Sequence, residues 1–180
     1  SSWLASSHLN LLQFDKAEEF SSREIHIYKQ LIESAPDDQF VRDKLVIAYR
    51  QSAELFSATG RIDAAHTALG QAETNIQLLV KLETDNTETL EALGKVRFAQ
   101  ATLYMADNNL ELASARLDHC EEIAEELVSK DPSILHWQIE LLHSCKLSRA
   151  KLLVTQGELT RALDLLREIR SGLGEIQSGG

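Results

Sequence analysis

Apolar side chains return every three or four residues along almost the whole chain. Leu45, Tyr49, Ala53 and Phe56 mark one such row, and Ile62, Ala65, Leu69, Ala72, Ile76 and Leu79 mark the next. That spacing lays apolar groups along one face of a 3.6-residue helix, and it differs from the period of two that a strand requires. Read this way, the chain predicts helices near residues 3–12, 14–34, 38–58, 61–83, 87–106, 109–129, 132–156 and 158–176, seven to eight elements in all. A helix of twenty residues extends about 30 Å.

The breaks between rows have local causes. Thr59-Gly60, Asp107-Asn108-Asn109 and Gln156-Gly157 place Gly or Asn where a helix ends in the left-handed conformation, which predicts tight helical hairpins. Ala35-Pro36-Asp37-Asp38, Thr84-Asp85-Asn86-Thr87 and Lys130-Asp131-Pro132-Ser133 combine a helix stop with a residue able to cap the next helix. Pro132 after Asp131 fits the first helical position behind an N-cap.

The rows also recur at longer range. A shift of 48 carries Leu45, Ala53, Leu55, Phe56, Gly60, Ile62, Ala65 and Leu69 onto Leu93, Ala101, Leu103, Tyr104, Asn108, Leu110, Ala113 and Leu117. A further shift of 49 reaches Leu142, Ala150, Leu152, Leu153, Gly157, Leu159, Ala162 and Leu166. Three helix-pair repeats are therefore expected at 38–83, 87–129 and 132–176, preceded by a partial one at 3–34, all within a single domain spanning 1–180. The recurring alanines, at 53, 65, 101, 113, 150 and 162, belong where paired helices cross, because a larger side chain would push the axes apart.

Composition narrows the possible partners. Eighteen basic residues against 28 acidic ones give a formal net charge of −10, a surface that repels nucleic-acid phosphates. No apolar run approaches the ~20 residues that span a bilayer, so no membrane insertion is expected. Cys120 and Cys145, the two cysteines, are too few for the disulfide framework of a small secreted domain, and they point to a reducing, cytoplasmic setting. The missing initiator Met and the terminal Ser178-Gly179-Gly180 read as a piece of a larger protein.

The hairpin residues resemble the tetratricopeptide repeat signature. Tyr49, Ala53, Phe56, Gly60, Ala65, Leu69 and Ala72 match its aromatic, small, turn and apolar positions. Ala101, Tyr104, Ala113, Leu117 and Cys120 follow in the second repeat, and Ala150, Leu153, Gly157, Ala162 and Leu166 in the third. Arg97 and Lys146 replace the first aromatic, and the units run 48 to 49 residues where the family has about 34. Asp131-Pro132 followed by the Trp137 helix is similar to helical repeat regions attached to bacterial signalling proteins such as serine/threonine kinases. The resemblance implies an all-α fold of antiparallel helix hairpins stacked as a right-handed α-solenoid, working as a protein-interaction scaffold.

By the same resemblance the first helix of each pair lines a concave face. That face would present Arg50, Lys95, Phe98, Met105, Leu147 and Lys151, along with Ile47, Glu54, Thr102, Ser144 and Val154. Its cations suit an acidic peptide or partner domain; the alternative is a face that is simply solvated or covered by a neighbouring domain. Self-association is the second class of function: Leu159, Leu163, Leu166 and Ile169 on the last helix have no following helix to bury them, and a homodimer would cover that end.

Catalysis finds little support. His119, Cys120, His136, His143 and Cys145 contain the right ligand types for zinc but in no zinc-site spacing, and Cys120 sits at a small core position. Glu121, Glu122, Glu125 and Glu126 read as a solvated helix face rather than paired acid–base groups. Trp3 and Trp137 have apolar neighbours and read as packing residues. No phosphate loop or nucleophile elbow occurs, so neither a cofactor nor a metal is expected.

Overall fold

The computed structural model describes the backbone of residues 2–82 and 85–178, with side chains described over 13–82 and 85–174. Every regular element in that range is helical: α1 (Ser2–Ser34), α2 (Gln39–Ala58), α3 (Ile62–Leu82), α4 (Thr87–Ala106), α5 (Leu110–Lys130), a π-helical segment (Trp137–Leu142) running directly into α6 (His143–Thr155), and α7 (Leu159–Ser178). Within Ser1–Thr84, and again within Asp85–Gly180, each helix packs on its sequence neighbours, giving an all-α fold of sequential hairpins. The chain divides into two compact units, Ser1–Thr84 and Asp85–Gly180.

The hairpin turns repeat one geometry. Gly60, Asn108 and Gly157 have φ of 76°, 56° and 80°. In each turn the residue after them donates its backbone N–H five residues back: Arg61 to Phe56, Asn109 to Tyr104 and Glu158 to Leu153, all at 2.8 Å. This closes the helix C-terminus and reverses the chain. Caps begin the next helices. Asp38 Oδ1 accepts from Val41 N at 3.0 Å, and Asn86 Oδ1 accepts from Glu88 N at 2.8 Å and Thr89 N at 3.2 Å.

In the first unit α2 packs along α3 and α1 lies against α2. Val46, Ala65, Ala72, Ile76 and Leu79 are buried in its core. Removing a side chain the size of Ile76 or Leu79 from water stabilises by about 1.5–3 kcal/mol. Ser21 and Ser52 share a hydrogen bond of 2.5 Å, and Arg61 on the α2–α3 turn bonds Glu18 of α1 at 2.8 Å. The expected interruption near residue 13 does not occur, and α1 is one helix. Leu11-Leu12-Gln13-Phe14 contains neither Gly nor Pro, so nothing in the backbone stops the helix there.

In the second unit α4 and α5 form a hairpin, the π segment and α6 lie on α5, and α7 folds back on α6. Cys120, Ala124 and Leu127 of α5 meet Trp137, Leu141, Leu142 and Cys145, with Leu90 and Phe98 of α4 at the edge. A second cluster joins Ala101, Ala113, Leu117 and Leu152. Gly94 on α4 makes the approach possible, since a Cβ there would lie 3.0 Å from Leu141 Cδ2 and 3.3 Å from Ile123 Cγ2. The six recurring alanines are all buried in their respective units.

Two local expectations are corrected. Pro132 does not open the helix: Asp131 Oδ1 accepts from Ser133 N at 2.9 Å, forming a turn, and regular helix begins only after it. The helix expected at 132–156 also contains the π segment, where His143 N bonds Gln138 O. Its cause lies in the repeat lengths. Thr89 and Trp137, 48 apart, are both buried, whereas Leu93 finds its counterpart 49 residues on at Leu142. One extra residue in an α-helix would rotate everything after it by about 100°, and a π turn absorbs it and restores the packing face.

Candidate partner-binding surface

The six residues expected on a binding face have different surroundings. Arg50, on α2 in the first unit, bonds Glu54 at 2.6 Å one helical turn away. On α4, Lys95 bonds Glu91 at 2.5 Å. Phe98 and Met105 are half-buried props of the two apolar clusters. Leu147 and Lys151 are exposed on α6, in line with exposed Val154. Leu135 and Ile139 extend this apolar row ahead of α6, so that Leu135, Ile139, Leu147 and Val154 are 41 to 52% exposed. Lys151 stands between the last two, and Phe98 and Met105 belong to the clusters that α5, the π segment and α6 form with α4.

Lys95 belongs to a structural node. Glu91 accepts from Lys95 and from the Trp137 indole N–H at 2.8 Å, and its Oε2 lies 3.1 Å from His136 Nε2. Burial alone would raise the Glu91 carboxyl, but the bonds from Lys95, Trp137 and His136 outweigh it and hold the group below its ordinary 4.5. The node ties the π segment to α4 and gives buried Trp137 its polar partner.

Other charged groups are hidden from the sequence because their partners are far apart in the chain. Arg149 of α6 reaches α5, with Nε 3.0 Å from Glu121 Oε1, Nη1 2.9 Å from Ser114 Oγ, and Nη2 on Asp118. Burial pushes the Glu121 carboxyl upward despite the neighbouring Arg149. Arg97 and Lys146, which replace an expected aromatic, are held by polar partners. Arg97 bonds Gln100 at 3.0 Å, and Lys146 bonds Glu168 of α7 at 2.6 Å. Among the acidic run, Glu121 alone is part-buried, while Glu122, Glu125 and Glu126 are exposed.

Two polar clefts border α7. One of about 480 Å³ is lined by Asp118, Glu121, Arg149, Arg161, Asp164 and Glu168. The other, about 290 Å³, lies beside Gln138, His143, Lys146, Glu168 and Ser171. Burial and Lys146 lower the His143 pKa, with Glu168 acting in the opposite direction. Among the described residues no group of three or more His, Cys, Asp or Glu side chains is placed to hold a metal ion.

Cys120 and Cys145 require a correction. Their number and spacing suggest free thiols, but the structure joins them as a disulfide, with Cα atoms 6.3 Å apart, linking α5 to α6 in the centre of the larger apolar cluster. Twenty-five residues separate them, and only the fold brings them together. The Trp3 side chain lies outside the described residues, while Trp137 is buried as expected. Leu159, Leu163 and Leu166 are exposed as expected, whereas Ile169 turns inward and is buried.

No family model, curated protein or solved structure matches the chain. What the fold itself defines is a class, an all-α fold of helix hairpins that follow one another along the chain in two compact units. Among the described residues, no helix is long and apolar enough to cross a membrane.

Proposed function

We propose that this chain is a non-catalytic protein-interaction module of the tetratricopeptide-like kind, which binds an acidic peptide or partner domain through the exposed face of the π segment and α6. The observation that carries the reading is the apolar row Leu135, Ile139, Leu147 and Val154, exposed and interrupted by Lys151. Apolar residues at helical spacing give a partner something to bury, and a cation within the row selects a carboxylate. Lys151 is the better electrostatic anchor, because Lys95 already serves Glu91. In this reading the chain regulates or scaffolds a larger bacterial signalling protein.

The cytoplasm is the proposed compartment, and the Cys120–Cys145 bond counts against it, because reducing compartments rarely keep disulfides. Neither cysteine has exposed surface, however, so a cytoplasmic thiol reaches the bond only when α6 lifts from α5. The test combines Leu147→Asp with Lys151→Glu, two exposed positions, and measures partner recovery from lysate beside the melting curve. Loss of recovery at an unchanged melting midpoint supports the proposal. Undiminished recovery eliminates this face.

A further inference from the structure

α7 repeats the outer face of α5, but without the cover. Leu117 and Ala124 of α5 are fully buried beneath the helix that follows. Their counterparts 49 residues on, Leu166 and Leu173, are exposed, as are Leu159 and Leu163, over a range of 36 to 58%. These four leucines share one face of α7, at i, i+4, i+7 and i+14. At i+11 on the same face stands exposed Arg170, the counterpart of Glu121. Glu121 is the residue that the covering helix α6 engages through Arg149. A helix covering α7 in the same manner therefore needs a carboxylate where α6 carries its guanidinium.

The chain itself carries such a helix. On α1, Phe20, Ile27 and Leu31 are 68, 45 and 43% exposed and share a face with exposed Glu24, at spacings of four, seven and eleven from Phe20. The face that packs on α2 lies to one side of them, through Ser21 and Glu18. Glu24 also accepts a hydrogen bond from Tyr28, one turn along. By contrast, the exposed row on α6 carries Lys151, of the same sign as Arg170. A two-fold pairing of α7 with itself would bury Arg170 of both copies in an apolar seam with no carboxylate among the described residues of that face.

We infer that the chain associates with a second copy of itself, the α1 row of one molecule docking on the α7 row of the next, with Glu24 meeting Arg170. The contact is heterologous, so it closes into a ring or runs on as a chain of copies. Neither α1 nor α7 contributes to the face proposed for partner binding, so the two readings fail separately.

Sedimentation of the full chain across micromolar concentrations tests the pairing, with the melting midpoint of each variant confirming that it folds. Glu24→Arg and Arg170→Glu should each weaken association by about tenfold or more, because each sets like charges against one another within an apolar seam. The double variant should restore association, and Leu163→Asp should abolish it. A monomer at every concentration overturns the proposal. So does association that survives both single reversals, or a double variant that stays dissociated. Association weakened by Leu163→Asp and Arg170→Glu but indifferent to Glu24→Arg would overturn it in favour of α7 pairing with itself.

Discussion

Replacing Arg149 with Met would remove the guanidinium while keeping most of the stem. The arginine side chain is 14% exposed and holds α6 to α5 through Glu121, Ser114 and Asp118. The Asp118 pair is largely solvated at 58% exposure of the aspartate, so its loss costs under about 1 kcal/mol. Glu121 is different. Its side chain is 22% exposed, and without Arg149 it stays under the helices as a carboxylate whose charge burial already disfavours. Leaving such a group unpaired costs about 1–3 kcal/mol, and the Ser114 bond adds about 0.5–1. Arg149→Met should therefore destabilise the second unit by about 2–4 kcal/mol, read as a lower urea midpoint at an unchanged slope. Adding Glu121→Gln should recover part of the loss, because an amide bears burial more cheaply than a charge. A loss below about 0.5 kcal/mol, the scatter of ordinary surface substitutions, would refute the reasoning.

Two further outcomes follow from the same unit. Glu91→Gln should cost about 1–2 kcal/mol at neutral pH by weakening the bonds to Lys95, His136 and Trp137. The Glu91 pKa is lowered in the folded chain, so its contribution is present above the ordinary 4.5 and fades as pH falls through the folded value; the gap between wild type and variant should close in acid, and a gap independent of pH would contradict the assignment. Reducing the Cys120–Cys145 bond, which closes a 25-residue separation, should lower stability by about 3.5 kcal/mol through the regained entropy of the unfolded chain, and unfolding curves that coincide with and without reductant would contradict it.

Local chemistry makes most of the helices legible in the amino-acid order alone. Gly60, Asn108 and Gly157 end helices for backbone reasons that act within a few residues, and Asp38 and Asn86 cap for equally local ones. The recurring alanines are legible because a helix crossing leaves no room for a longer side chain. Nonlocal features are hidden. Arg149 and Glu121 are 28 residues apart and Trp137 and Glu91 are 46 apart, distances over which no periodicity reports pairing. The π segment does leave a trace, in the change of repeat shift from 48 to 49, but an inserted residue looks the same in a loop as in a helix. On the candidate face, the exposure of Leu147 and Lys151 follows from their place in the helical register. The role of Lys95 as Trp137's neighbour on Glu91 does not, since it depends on how α4 meets the π segment.

The central claim is that small side chains returning one helix pair later sit where neighbouring helices cross. The most direct measurement is the unfolding midpoint of Ala113→Leu beside Ala106→Leu. Ala113 is fully buried among Ala101, Leu117 and Leu152, whereas Ala106 is exposed at the end of α4. Overpacking such a crossing costs about 1–3 kcal/mol, so Ala113→Leu should lower the midpoint clearly while Ala106→Leu leaves it nearly unmoved. Equal midpoints for the two variants would contradict the account.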